Sequence, residues 1–287
     1  MPLWQCVLGR ILRLAMGFDR PPERPFLDFA VEDYYAQGGE EQRLKTVSKV
    51  EFLRTQVLLQ RFLQRPPAVV LDVGGGAGGY AIPLQSMGYD VKLVDPVQLH
   101  VEQARRAGVC DATVGDARNL AAETGSAGAI LLLGPLYHLV ERDDRLQALR
   151  EARRVLMEGG VLIAAAISRF ASTYDGLYRE FLADPEFEKI VQRDLTTGVH
   201  LNPGRQRGWF TTSYFHHPTE LAAEVVDAGF ELEATVAVEG PAAWLPNDEV
   251  WLDNPARRQI LLDALERVEQ EPSILGASAH IIAIGRA

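Results

Sequence analysis

Cysteine is nearly absent: Cys6 and Cys110 are the only two among 287 residues. One pair so far apart builds no disulfide framework and matches no metal-ligand spacing, which reads as two reduced thiols in a cytoplasmic protein. Long apolar runs are also missing. None approaches the roughly 20 residues that span a bilayer, so no transmembrane segment is expected. Positive charge is scarce, with 29 Lys and Arg against 39 Asp and Glu and a formal net charge of −10. The densest basic cluster, Arg150, Arg153 and Arg154, has the spacing of one exposed helix face. A surface of that sign repels nucleic acid, which points to a small-molecule substrate rather than DNA or RNA. No histidine–carboxylate spacing suggests a metal site. The rest of the chain, 47% hydrophobic and 24% charged, has the composition of a globular protein with a real core.

The first residues are apolar at helical spacing (Leu3, Trp4, Val7, Leu8, Ile11, Leu12), but Arg10 and Arg13 interrupt them and Pro21-Pro22 ends the pattern. A secretory signal needs an unbroken apolar core. Residues 1–25 are therefore expected to be an amphipathic segment and linker, and residues 26–287 the main domain.

Beyond the linker, strands and helices alternate. The apolar runs at 68–73, 91–94, 112–114, 129–133 and 161–167 read as buried strands, joined later by 230–238 and 279–284. Helical periodicity marks 50–63, 79–88, 97–108, 143–157, 218–228 and 254–270, with Gly159-Gly160 expected as the C-cap of the fourth of these. This order specifies an α/β fold, a doubly wound, Rossmann-like and mostly parallel seven-stranded sheet with an antiparallel terminal strand. About fifty residues, 168–217, interrupt the alternation. They hold two helical stretches, a polar Gly/Pro segment and the aromatics Trp209, Phe210, Tyr214 and Phe215, the makeup of a helical lid.

The loop after the first strand is Asp72-Val73-Gly74-Gly75-Gly76-Ala77-Gly78-Gly79. It satisfies both GxGxxG and DxGxGxG, and in either case the glycines let backbone N–H groups approach a ligand. Asp72 separates the two templates. A carboxylate at the strand's end is unfavourable beside a dinucleotide's pyrophosphate and favourable beside a sulfonium and an ammonium. Asp95 ends the second strand 23 residues after Asp72, where an acid accepts from ribose hydroxyls. Asp116 ends the third and is placed to accept from an adenine amino group. Three acids at successive strand ends line the sheet edge where open α/β folds bind ligands.

The stretches VVLDVGGGAGGYAIPL (69–84), VKLVDPV (91–97), VGDARNL (114–120), LLLGPLYHL (131–139) and RVLMEGGVL (154–162) resemble class I S-adenosylmethionine-dependent methyltransferases. The GPLYHL, AAAISRF (164–170) and YFHHP (214–218) segments look like a bacterial small-molecule subgroup. The resemblance implies S-adenosylmethionine as cofactor. Gly74, Gly76 and Gly78 would line its methionine portion, Asp95 its ribose, Asp116 and Ala117 its adenine, and Gly134 its amino acid end. Ala121 to Ala129 departs from the family by lacking the usual Phe-Asp before the fourth strand.

On the acceptor side, His138 and Tyr137 follow the strand at which this fold reacts, and His138 is the candidate general base. His216 lies where the insert returns to the sheet and is a second catalytic candidate. Tyr35, Arg43, Trp209 and Tyr214 are the candidate acceptor contacts, and their aromatics suit an apolar or aromatic molecule. Two rival readings stay open: an NAD(P)-dependent oxidoreductase, and a non-catalytic module that binds the same cofactor.

Overall fold

A computed structural model of the chain describes residues 28–36, 49–206, 208–245 and 249–287. The expected amphipathic segment 1–25, Cys6 and Arg43 lie outside the described residues. The strands are β1 (Val69–Val73), β2 (Asp90–Asp95), β3 (Asp111–Val114), β4 (Ala127–Leu132), β5 (Leu156–Ile167), β6 (Val199–His200), β7 (Ser213–Tyr214), β8 (Glu231–Ala237) and β9 (His280–Arg286). Seven form one sheet in the order β3-β2-β1-β4-β5-β9-β8, while β6 and β7 make a separate ribbon. Neighbours from β3 to β5 run parallel. The last strand, β9, slots antiparallel between β5 and β8. This is the Rossmann-like sheet expected from the strand–helix alternation.

The helices are α1 (Phe29–Ala36), α2 (Lys49–Phe62), α3 (Ala81–Ser86), α4 (Gln98–Arg106), α5 (Arg142–Val155), α6 (Ala171–Tyr178), α7 (Pro185–Thr197), α8 (Pro218–Asp227), α9 (Glu249–Leu252), α10 (Pro255–Glu266) and α11 (Pro272–Leu275). Side chains alternate across a strand, so a sheet covered on both faces needs apolar residues at consecutive positions. In β4, Ile130 and Leu132 join Leu146 and Leu149 of α5 and Leu221 and Val225 of α8 in one core. Ala129 and Leu131 face the other way, with Leu58 and Leu59 of α2, Leu84 of α3 and Val101 of α4. The continuous apolar runs in the sequence are the signature of this double cover.

Two local expectations fail. Gly159-Gly160 does not cap a helix: α5 stops at Val155 and the chain enters β5 directly at Leu156. Pairing with β4 shifts between Ala127↔Leu156 and Ala129↔Val161, so the glycines serve an irregularity in the strand, with Gly159 at φ +71. Cys110, expected as a reduced thiol, is disulfide-bonded. Among the described residues, no helix is long and apolar enough to cross a membrane.

The insert, 168–217, leaves and rejoins the sheet at one point. Arg169 N–H donates to His216 O (2.8 Å) and His216 N–H donates to Ile167 O (2.8 Å). Within it, α7 starts at an Asp184 cap that accepts from Glu186 N–H (2.9 Å). The helix ends at Gly198, φ +77, where a Cβ would collide with the Arg169 guanidinium and Phe215 O. A buried network holds the return. Arg145 of α5 donates to Glu224 of α8 (2.8 Å) and to Leu139 O (2.9 Å). Its guanidinium also lies 3.7 Å from the centre of the Tyr214 ring. Burial pushes the Glu224 carboxyl up, but hydrogen bonds from His216 and Arg145 outweigh this and hold it at about 2.

Glu224→Ala leaves the Arg145 charge buried and uncompensated, and is expected to cost about 3–5 kcal/mol in urea denaturation at pH 7. A loss under about 1 kcal/mol would show that the network does not anchor the insert. Because Glu224 is depressed in the folded state, its contribution is present above about pH 4.3, its unfolded value, and is lost as pH falls towards about 2.

Candidate cofactor and acceptor site

The strand order reverses direction between β1 and β4, and a cavity of about 270 Å³ opens there, at the carboxyl ends of the parallel strands. The glycine loop forms its floor for two distinct reasons. Gly74, φ +72, passes beneath Pro135, whose ring a Cβ would meet at 2.8 Å. Gly76, φ +56, has nothing within 4 Å of the position of a Cβ, so the backbone there stands open to a ligand. Gly134 faces the loop closely, 3.1 Å from Gly74 O at its Cβ position. Gly78 departs from expectation. It does not line the cavity but packs against Val109, whose methyl a Cβ would meet at 2.9 Å; Gly75 and Gly79 line the cavity in its place.

The three acids have three different environments. Asp95 is buried and already engaged: it accepts from Gly76 N–H (2.9 Å) and Val97 N–H (2.9 Å), and lies 3.0 Å from His100 Nδ1. These bonds fix the glycine loop against β2. Asp116 lines the cavity with Ala117, but the Arg118 guanidinium grips its carboxylate at 2.8 Å. Asp72 is 1% exposed, and neither carboxylate oxygen has a partner. Burial, reinforced by the charge of Asp95, raises its pKa to about 7. A buried carboxyl without a donor is a site waiting for a cation or a donor group.

A second cavity, of about 560 Å³, adjoins the first. Tyr35, Glu51 and Tyr137 line both, so the two meet at these side chains. Tyr35 comes from α1, and its hydroxyl lies 2.8 Å from His138 Nε2. Thr212 O, 3.5 Å from His138 Nδ1, can only accept. That assigns the ring proton to Nδ1 and leaves Nε2 to accept the Tyr35 hydroxyl. Tyr137, His138, Tyr35 and Trp209 are brought together around the junction and the second cavity. Phe210, Phe187 and Trp244 add to the aromatic wall.

Tyr214 and His216 line neither cavity. Tyr214 lies under Arg145, and its hydroxyl donates to Glu220 (3.2 Å). His216 is fully buried, 3.2 Å from Glu224 Oε2, and burial lowers its pKa. Along an extended segment neighbours point to opposite sides, so Phe215 faces the cavity while Tyr214 and His216 face the anchor. Their expected roles in acceptor contact and catalysis are replaced by structural ones.

Some lining residues had no local signature. His100, five residues after Asp95, follows from placing it on the first turn of α4. Glu51, Glu239 and His280 come from three distant segments, and their ligand atoms lie within 4.8 Å of one another. Glu239 is occupied within this group: it receives Ser278 Oγ–H (2.9 Å) and His280 N–H (3.0 Å) and lies 2.6 Å from His280 Nδ1.

Residues 70–160 match the family described as the methyltransferase domain. Among curated proteins, the human "Probable tRNA methyltransferase 9B" is 34% identical over 107 residues, 37% of this chain and 23% of its own length. A Streptomyces fradiae protein, "Uncharacterized 37.1 kDa protein in transposon TN4556", is 30% identical over 191 residues, 63% of this chain and 49% of its own. The chain thus spans about half the length of these relatives or less. A Thermotoga maritima SAM-dependent methyltransferase, described as a possible histamine N-methyltransferase, superposes with a TM-score of 0.55 at 20% identity. That match covers 90% of this chain and 99% of the other, a likeness of fold.

The domain and the fold imply S-adenosylmethionine, and the cavity fits it: the orphaned Asp72 carboxyl suits a cation, and the open backbone at Gly76 suits close approach. Binding a cationic ligand beside Asp72 lowers its pKa from about 7, so the ligand displaces a proton near neutrality. Calorimetry of S-adenosylmethionine in buffers of differing ionisation enthalpy should show proton release near pH 7, vanishing above about pH 9 and in Asp72→Asn. Equal heats in all buffers at pH 7 would show that Asp72 does not meet the ligand's charge.

Proposed function

We propose that the protein transfers the methyl group of S-adenosylmethionine to a small apolar or aromatic acceptor held in the second cavity. The observation that carries this reading is the junction: a cleft with an unpaired acid and a glycine floor opens, at Tyr35 and Tyr137, onto an aromatic-walled space. The cofactor supplies a methyl group already activated on a sulfonium. The chain's work is therefore alignment, exclusion of water and custody of a proton. In this reading Gly74, Gly76 and Gly134 admit the amino acid end, Asp95 holds the ribose, and Asp116 with Ala117 faces the adenine. Tyr35 and Tyr137 orient the acceptor between the cavities. The Tyr35 hydroxyl, 2.8 Å from His138 Nε2, relays to that nitrogen the proton an acceptor hydroxyl must lose. Residues 168–217, anchored through Tyr214 and His216, serve as the lid of a domain spanning 26–287.

A second reading comes from the relatives named as probable tRNA methyltransferases, which would make the acceptor a nucleotide of RNA. The formal charge of −10 weighs against it. Tritiated methyl transfer from S-adenosylmethionine, run against phenol and amine collections and against total tRNA, separates the two. Label should enter a small acceptor, and His138→Ala should lower single-turnover rate by about 10²-fold with S-adenosylhomocysteine affinity unchanged. Label confined to tRNA would replace the small-molecule reading. Binding of S-adenosylhomocysteine with no transfer to any acceptor would favour a non-catalytic module.

A further inference from the structure

We propose that Asp194 and His200 form a hydrogen-bond acceptor in the wall of the second cavity, selecting molecules that present a hydroxyl or N–H group. The inference rests on that cavity being the acceptor site. His200, at the end of β6, is 2% exposed and lines the cavity. Its Nδ1 lies 2.8 Å from Oδ2 of Asp194, a fully buried residue of α7. The ring is stacked on Phe215, centroids 4.7 Å apart and planes at 12°, which fixes its orientation. A carboxylate can only accept, so the proton sits on Nδ1 and Nε2 offers a lone pair.

His200 Nε2 is buried and has no partner among the described residues. The same holds for Ser172 Oγ, on α6, in a residue that lines the same cavity. Native proteins rarely leave buried polar atoms unpaired, and two on residues of one cavity point to a polar ligand group. The charged groups around them decide its kind. Asp175 is paired with Arg179 at 2.8 Å, and Glu51 and Glu239 add negative charge. That surrounding disfavours a carboxylate and favours a neutral or cationic donor. A site built to receive such a donor rejects the analogue lacking it, because its own polar atoms are then left unpaired.

The test uses the full chain, ¹⁵N-labelled at histidine and saturated with S-adenosylhomocysteine, with 2-naphthol and 2-methoxynaphthalene as probes. In the free protein the His200 Nε2 resonance should be that of an unprotonated nitrogen and should move on adding 2-naphthol. 2-Naphthol should bind at least tenfold more tightly than 2-methoxynaphthalene. His200→Phe, which keeps a ring to stack on Phe215, should abolish that preference without changing S-adenosylhomocysteine affinity. Equal binding of 2-naphthol and 2-methoxynaphthalene by the natural chain, a preference that survives His200→Phe, or a proton on Nε2 in the free protein would each overturn the proposal. Failure of S-adenosylhomocysteine to bind would count against the methyltransferase reading instead, and the naphthol preference would still report on His200.

Discussion

A carboxylate buried at the end of β1 without a partner is the constraint around which the cleft is organised. Asp72 sits where the strand order reverses, and the neighbouring charge of Asp95 makes its ionisation harder still. Asp95 is tolerated there because the loop's own backbone satisfies it, through Gly76 and Val97. That arrangement needs the loop to run tightly between β2 and Pro135, which only a residue without a Cβ can do at Gly74. The glycines, the second acid and the loop after β4 all follow from where the first acid stands.

The second cavity depends on a different device. The insert leaves the sheet after β5 and returns beside it, and the return is fixed by backbone hydrogen bonds, an apolar cluster of Ile167, Ala171 and Phe215, and a buried charge network. Arg145, Glu224, His216 and Tyr214 join α5, α8 and the end of the insert in one buried network. With that edge held, Phe215, Phe210 and Trp209 are presented to the cavity, and α1 brings Tyr35 to the junction from outside the sheet. The cofactor half is thus shaped by strand ends, and the acceptor half by what the insert can be tied to.

These origins explain what the sequence disclosed. The strands were legible because a doubly covered sheet demands consecutive apolar residues, and Asp72, Asp95 and Asp116 because they end those runs. Gly159-Gly160 misled because a glycine pair looks the same whether it caps a helix or relieves a strand, and α5 meets β5 with no loop between them. Tyr214 and His216 misled because an aromatic run does not say which side each residue faces; the twofold alternation of an extended chain sends Phe215 one way and its neighbours the other. His200, Glu239 and His280 carried no signal at all, since their partners come from remote segments.

The central claim is that the cleft takes a phosphate-free S-adenosyl cofactor and not a dinucleotide. Titration calorimetry of the full chain tests it directly. S-adenosylhomocysteine should bind one to one, and NADH should give no heat of binding under the same conditions. Saturable binding of NADH, with none of S-adenosylhomocysteine, would contradict the account.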